Sequence, residues 1–190
     1  MMLHGYPIFA LLIAAYIVGA VPTGFIVGRL NGIHDIRHHG SGNSGATNIG
    51  RLLGTPYFFL VMLIDAAKAA LCMAAINHFF VLDTHFLYIV ALSLLYGNCY
   101  SFFLSGYGGK GVATYWGLLL FFWPTGAAVM GTLWVMVLLC TRISFIASLS
   151  AVFGVALLST IVHEPASLVV YVSTIIIFLR HRTNIRQLLW

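Results

Sequence analysis

Long apolar runs separated by short polar loops make up most of this chain. The first run spans about Pro7 to Leu30, the second Thr55 to Phe80 and the third His85 to Leu104. Residues 112–141 form a single apolar block, interrupted by Trp123-Pro124-Thr125-Gly126. At ~1.5 Å per residue an unbroken helix would be about 45 Å long, too long for a hydrocarbon core of about 30 Å. Proline ends or kinks a helix, so two helices meeting at Pro124 are expected, the first of them short at roughly 18 Å. Two more runs cover about Phe145 to Val162 and Ala166 to Leu179. The reading is an all-α integral membrane protein of seven transmembrane helices in one domain, residues 1–190, with no internal repeat and no linker.

Composition fixes the class. The chain is 61% hydrophobic and 7% charged, with a mean hydropathy of +1.01. A soluble domain of this size cannot keep so much apolar surface from water. No hydrophilic basic surface is available for nucleic acid. Residues 1–6 hold no Lys or Arg, and the run that follows is too long for a signal peptide, so it reads as a retained span.

Charge placement sets the orientation. Eight of the nine Lys/Arg residues (Arg29, Arg37, Arg51, Lys110, Arg142, Arg180, Arg182 and Arg186) lie at boundaries that seven spans bring to one side. The opposite loops, 1–6, 77–84, 123–126 and 162–165, contain none. Since Lys and Arg stay cytoplasmic, the N-terminus is expected outside and the C-terminus in the cytoplasm.

Three polar segments on the basic side are candidates for chemistry. The first, GSGNSGATNIGR (40–51), contains a G-x-G-x-x-G pattern at Gly40, Gly42 and Gly45. It follows a membrane span with no βαβ unit around it, which argues against a dinucleotide site. Glycines still let backbone N–H groups approach an anion, and Ser41, Asn43, Thr47 and Asn48 add short donors. A plain solvated loop has the same composition. The second, GYGGKGVAT (106–114), is no Walker A loop, since Gly111 stands at the Ser/Thr position. With Gly109 and Gly111 flanking it, Lys110 has nothing to cover it and is expected to reach a phosphate freely. The third, HRTNIR (181–186), follows the last span, and in a helix His181, Asn184 and Ile185 share a face. Arg182 and Arg186, with Arg180 just before them, partly suit simple anchoring.

Other patterns carry less. Asp65 and Lys68 stand i, i+3 within the second span, as a structural ion pair or part of an ion pathway. His78-x4-Asp83 resembles a catalytic pattern but falls on the side without cations. His34 and His38 have metal-like spacing with only Asp35 nearby, and no metal site is expected. Cys72, Cys99 and Cys140 lie in apolar runs and read as buried hydrophobes. Gly24 and Gly28 suggest close helix contact.

Together, GSGNSGATN (40–48) with Arg51, GGKGVAT (108–114) and HRTNI (181–185) resemble the bacterial acyl-phosphate:glycerol-3-phosphate acyltransferases of the PlsY type, in order and spacing along the whole chain. The family has Pro where Ser44 stands and commonly His at Asn98, and its serine segment between spans five and six is loosely matched by residues 141–148. The resemblance implies a seven-span bacterial inner-membrane enzyme with its active site on the cytoplasmic side. It implies transfer of an acyl group from acyl phosphate to the 1-hydroxyl of glycerol 3-phosphate, giving lysophosphatidic acid and inorganic phosphate. Ser41, Arg51, Lys110, His181 and Asn184 are then the catalytic candidates. Gly42, Asn43, Gly45, Thr47, Asn48, Gly109, Gly111 and Ser148 (with Ser144 as the other serine) are the substrate-binding candidates. No cofactor and no coenzyme A is implied. The other class considered is a transporter for a phosphate-bearing solute, whose site would lie near the midplane.

Overall fold

The computed structural model describes residues 6–189. The N-terminal residues 1–5, His4 among them, and Trp190 lie outside that range. Among the described residues there are ten α-helices, two 3-10 turns and no strand.

The first apolar run is two helices rather than one: α1 (Tyr6–Ala20) and α2 (Thr23–Leu30). The break falls at Val21-Pro22. Proline has no N–H to donate and disfavours helical backbone in the residue before it. The Asp65–Lys68 pair staples this break. Lys68 Nζ donates to the carbonyls of Gly19 and Val21, each at 3.0 Å. Asp65 accepts from Thr23 Oγ1 at 2.7 Å, and the two charges lie 2.7 Å apart. The cation thus caps the negative end of α1 and the carboxylate serves the positive end of α2.

The segment from 31 to 54, read as a loop, contains the short helix α3 (Ala46–Leu53). Ile49 anchors it, fully buried against Gly24 and Gly28 of α2. Those two glycines therefore admit α3 and its entry loop, not another membrane span. Gly54, at φ +100°, turns the chain directly into α4 (Thr55–Phe79). Helix α5 (Thr84–Cys99) is capped by Asp83, which accepts from the His85 N–H at 2.8 Å, so the acid of the His78-x4-Asp83 pattern serves as a helix cap.

The block 112–141 divides as expected into α6 (Val112–Phe122) and α7 (Pro124–Thr141), with the non-helical Trp123 between them. Helices α8 (Ser144–Ile161), α9 (Ser167–Arg180) and α10 (Arg182–Leu189) complete the chain. Among the described residues five stretches are long and apolar enough to cross a membrane, and there are six if α9 and α10, bent by 57°, count as one span. Helix α6 has 11 residues, about 17 Å, shorter than a core of about 30 Å.

Small residues let the helices approach closely. Gly117 of α6 lies against the Ala66 backbone of α4, and Gly97 of α5 against Tyr16 of α1. Leu94, Tyr115, Val152 and Ile177 fill the centre. Of the cysteines, Cys99 is buried, Cys72 half-buried and Cys140 exposed, so the expectation of three buried ones fails at Cys140. Helix α4 packs on α6, and α7 on α6 and α8, while α4 and α7 share no extended face. That leaves a groove between them.

Candidate active site

Two asparagines shape the first glycine loop. Asn48, 1% exposed, accepts the Ser41 N–H through Oδ1 at 2.9 Å and donates to the His39 carbonyl at 3.0 Å. Gly40 at φ +59° passes so close to Asn48 that a Cβ there would collide with its side chain. Asn43 accepts the Gly45 N–H at 2.9 Å and reaches the Gly108 carbonyl at 3.5 Å. Both asparagines thus spend hydrogen bonds on holding backbone. Ser41 is left exposed at the loop surface.

The second loop is pinned from two sides. The Gly109 N–H donates to the Asn98 carbonyl at 2.8 Å, and a side chain on Gly108 would strike the backbone of Asn98 and Cys99. From the other side, Arg180 donates to the carbonyls of Gly108 and Gly109, each at 3.1 Å. Lys110 is half-buried and donates to Asn184 Oδ1, which corrects the expectation of a freely reaching lysine. Burial, with the charges of Arg51 and Arg180, pushes the Lys110 ammonium down to about 8.

His181 sits at the corner between α9 and α10, 2% exposed. Its Nδ1 lies 2.8 Å from the Ile177 carbonyl. A carbonyl only accepts, so Nδ1 carries the proton and Nε2 keeps a lone pair. Burial, outweighing the Ile177 hydrogen bond, and the nearby Lys110 and Arg180 bring its pKa down to about 4. The imidazole is therefore neutral at pH 7 and acts as an acceptor.

These groups surround a cavity of about 310 Å³. Ser41, Arg51, Lys110, His181 and Asn184 all line it, with Asn43, Gly45, Thr47, Asn48, Gly109, Gly111 and Ser148. Gly42 does not: it closes a turn, its N–H donating to the His39 carbonyl at 3.0 Å. Both candidate serines of α8 border the cavity. Ser144 Oγ lies 3.1 Å from Thr47 Oγ1, and Ser148 Oγ accepts from Trp134 Nε1 at 3.1 Å. Arg51 is exposed, and among the described residues nothing engages its guanidinium.

Three helices begin at this cavity: α3 at Ala46 and Thr47, α6 at Val112 and Ala113, α8 at Ser144 and Phe145. The first N–H groups of a helix have no partner within it, and the dipole is positive there. With Arg51 and Lys110 they make a strongly anion-attracting end. The other end is apolar, walled by Phe58, Phe59, Met62, Trp116, Met130, Trp134 and Val135. Phe58 stacks on Trp134 across the groove between α4 and α7, with centroids 5.8 Å apart. Asp65 also borders the cavity, its charge already engaged by Lys68. His38 lies 3.7 Å from Asp35, whose carboxylate is held by Arg37 at 2.7 Å; among the described residues no three metal-ligating side chains gather.

The family model described as glycerol-3-phosphate acyltransferase matches residues 9–190. The chain belongs to the glycerol-3-phosphate acyltransferase family. A member from Syntrophotalea carbinolica is 36% identical, over 95% of this chain and 93% of that one. Another, from Maricaulis maris, is 35% identical, over 92% and 80%. The crystal structure of PlsY, an integral membrane glycerol 3-phosphate acyltransferase in its glycerol 3-phosphate form, superposes with a TM-score of 0.88 at 33% identity, covering 96% of this chain and 92% of that one. Its lysophosphatidic acid form gives 0.86 at 32% identity, over the same shares of the two chains. The chain is accordingly an integral membrane acyltransferase.

Within this acyltransferase, sequence reasoning brought the five catalytic candidates to one place but missed two features. It treated Arg180 as an anchor, although its guanidinium grips the glycine loop. It also missed the convergence of helix starts, because α3 was read as loop. Ala46-Thr47-Asn48-Ile49 following Gly45, with an apolar residue to anchor it, was the available signal.

Proposed function

We propose that this enzyme joins the acyl group of an acyl phosphate to the 1-hydroxyl of glycerol 3-phosphate, releasing lysophosphatidic acid and inorganic phosphate. One observation carries this reading. A single cavity has a cationic end with free donors and an apolar end open between α4 and α7. That shape suits one water-soluble phosphate ester and one lipid whose phosphate sits at the same interface. The related PlsY crystal structures, in a glycerol 3-phosphate form and a lysophosphatidic acid form, support it.

In this reading Arg51 grips a phosphate with two N–H groups, and Lys110 supplies a compact charge that Asn184 aims. Ser41, Asn43, Gly45 and Thr47, with the start of α3, cradle the acyl phosphate, and Asn48 keeps that loop in shape. Gly111 and the start of α6 add N–H donors, Gly109 lines the wall with its own N–H held by the Asn98 carbonyl, and Ser148 borders the path of the acyl chain. Gly42 contributes through its turn. The glycerol hydroxyl oxygen attacks the acyl carbonyl carbon, and the bond from that carbon to the phosphate oxygen breaks. Acyl phosphate is already activated, so positioning and charge stabilisation supply the catalysis. His181 Nε2 accepts and orients the hydroxyl. With a pKa of about 4 it is a weak base, so the proton passes to the departing phosphate.

We further infer seven membrane passages in a single domain, with α6 as a short one. The N-terminus is outside, and the C-terminus and active site face the cytoplasm of the bacterial inner membrane. The one-sided Lys/Arg distribution supports this. Reporter fusions after Leu82 and Glu164 should read external and those after Arg51 cytoplasmic; a cytoplasmic signal at Leu82 overturns it. In this reading the donor is acyl phosphate and not acyl-coenzyme A. The direct test of the reaction is purified protein with labelled glycerol 3-phosphate and either acyl phosphate or acyl-coenzyme A. Labelled lysophosphatidic acid should form from acyl phosphate alone. Efficient transfer from acyl-coenzyme A overturns the donor assignment.

A further inference from the structure

Arg180 lies in the last turn of α9, where an interfacial arginine would ordinarily snorkel to water or headgroups. Its neighbours Arg182 and Arg186 are exposed in that way. Arg180 turns inward instead. Nε and Nη2 donate to two consecutive carbonyls, Gly109 and Gly108, each at 3.1 Å. The guanidinium carbon lies 4.8 Å from the centre of the Tyr100 ring. Tyr100 is itself fixed: its carbonyl accepts the Tyr16 hydroxyl at 2.9 Å, and its ring packs on Tyr96. No carboxylate pairs with Arg180 among the described residues, and it does not line the cavity.

A planar fork that grips two successive carbonyls fixes the orientation of the peptide units between them, which a point charge does less well. Those units lead directly into Lys110. Buried Gly108 and Gly109 have no side chains of their own to hold them. The Asn98 carbonyl takes the Gly109 N–H from one side, and Arg180 takes the carbonyls from the other.

We propose that Arg180 is a positioning residue of the acyl transfer: stacked on Tyr100, it locks the Gly108-Gly109 backbone so that Lys110 meets the substrate phosphate in one orientation. This rests on the reaction proposed above, and its test separates the two. The effect belongs to kcat more than to KM, because a loosened Lys110 still attracts a phosphate but no longer meets the transition state correctly. Arg180 also faces Lys110 electrostatically. The other charged or titratable groups around Lys110 are Arg51 of α3, His181, and Asp65 of α4, which Lys68 pairs.

The experiment compares wild type with Arg180→Gln, Arg180→Lys, Tyr100→Leu and the exposed control Arg186→Gln, all normalised to folded protein by thermal melting in detergent. Arg180→Gln should lose about tenfold or more in kcat with a smaller change in KM. Arg180→Lys, with charge but no fork, should recover only part. Tyr100→Leu should lose less than Arg180→Gln, and Arg186→Gln should match wild type. A second readout needs no substrate. The chain has only two lysines, Lys68 and Lys110, so the pH midpoint of Lys110 labelling by an acylating reagent can be followed by mass spectrometry. It should rise in Arg180→Gln and stay near wild type in Arg180→Lys. Normal kcat per folded molecule in Arg180→Gln, or full activity in Arg180→Lys, overturns the positioning role. If Arg180→Gln fails to fold, Arg180→Lys decides: wild-type kcat in it overturns the role, whatever Tyr100→Leu shows. A wild type inactive with acyl phosphate overturns the reaction instead, and the labelling midpoint still decides on Arg180, an unmoved midpoint counting against it.

Discussion

Two groups of charges lie around the cavity, and they are built in opposite ways. The Asp65–Lys68 pair, inside the membrane span α4, is saturated: Lys68 meets two carbonyls and Asp65, and Asp65 also takes the Thr23 hydroxyl. At the mouth of the same cavity, Arg51 has no partner among the described residues, and the first residues of three helices, whose N–H groups have no partner within the helix, line the wall. Buried charges persist when compensated, whereas donors left open await a ligand. The deep pair therefore holds the α1–α2 break, and the shallow group does the chemistry.

The largest effect should come from breaking the deep pair. Lys68→Met leaves Asp65 uncompensated and should cost about 3–5 kcal/mol of stability. It should appear as a lowered melting temperature in detergent, with activity per folded molecule largely kept. Next is Lys110→Ala, which removes a charge-assisted hydrogen bond of about 1.5–3 kcal/mol. That is about a 10- to 150-fold loss in kcat/KM, more where the bond tightens in the transition state. Arg51→Lys keeps the charge and loses the fork, and steady-state kinetics should show about a tenfold loss.

A smaller effect is set by pH. Lys110 titrates at about 8, below an ordinary lysine, so its charge is complete well below pH 8 and disappears above it. The kcat/KM of the free enzyme should fall on the alkaline side with a midpoint near that value. His181 at about 4 stays neutral from pH 5 upward and should add no acidic limb there. The smallest effects belong to Arg29→Ala and Arg186→Ala, exposed residues away from the cavity, whose kinetics should match wild type.

The membrane class, the helix break at Pro124 and the gathering of Arg51, Lys110, His181 and Asn184 could all be read from the sequence. Apolar runs and charge placement report directly on the bilayer, and glycine-rich loops stand out against such runs. The break at Pro22 was hidden because Pro22 lies in an unbroken apolar stretch, and the ion pair that stabilises the break comes from another helix. Helix α3 was hidden because its polar residues look like a loop until Ile49 finds its pocket between Gly24 and Gly28. The inward turn of Arg180 depends on Tyr100 and on two carbonyls 71 and 72 residues earlier in the chain. No local pattern signals such a contact.

The most direct test sets the two charge groups side by side. Steady-state kcat/KM for acyl phosphate and glycerol 3-phosphate is measured for Lys110→Ala and for the uncharged double variant Asp65→Leu/Lys68→Met, at equal amounts of folded protein. Replacing both members leaves no uncompensated buried charge, and comparison per folded molecule removes the cost of the lost contacts at the α1–α2 break. The account predicts a loss of tenfold or more, about 1.4 kcal/mol per factor of ten, in Lys110→Ala, and activity within a few-fold of wild type in the double variant. Near-normal kinetics in Lys110→Ala, together with a comparable or larger loss in the double variant, would contradict it.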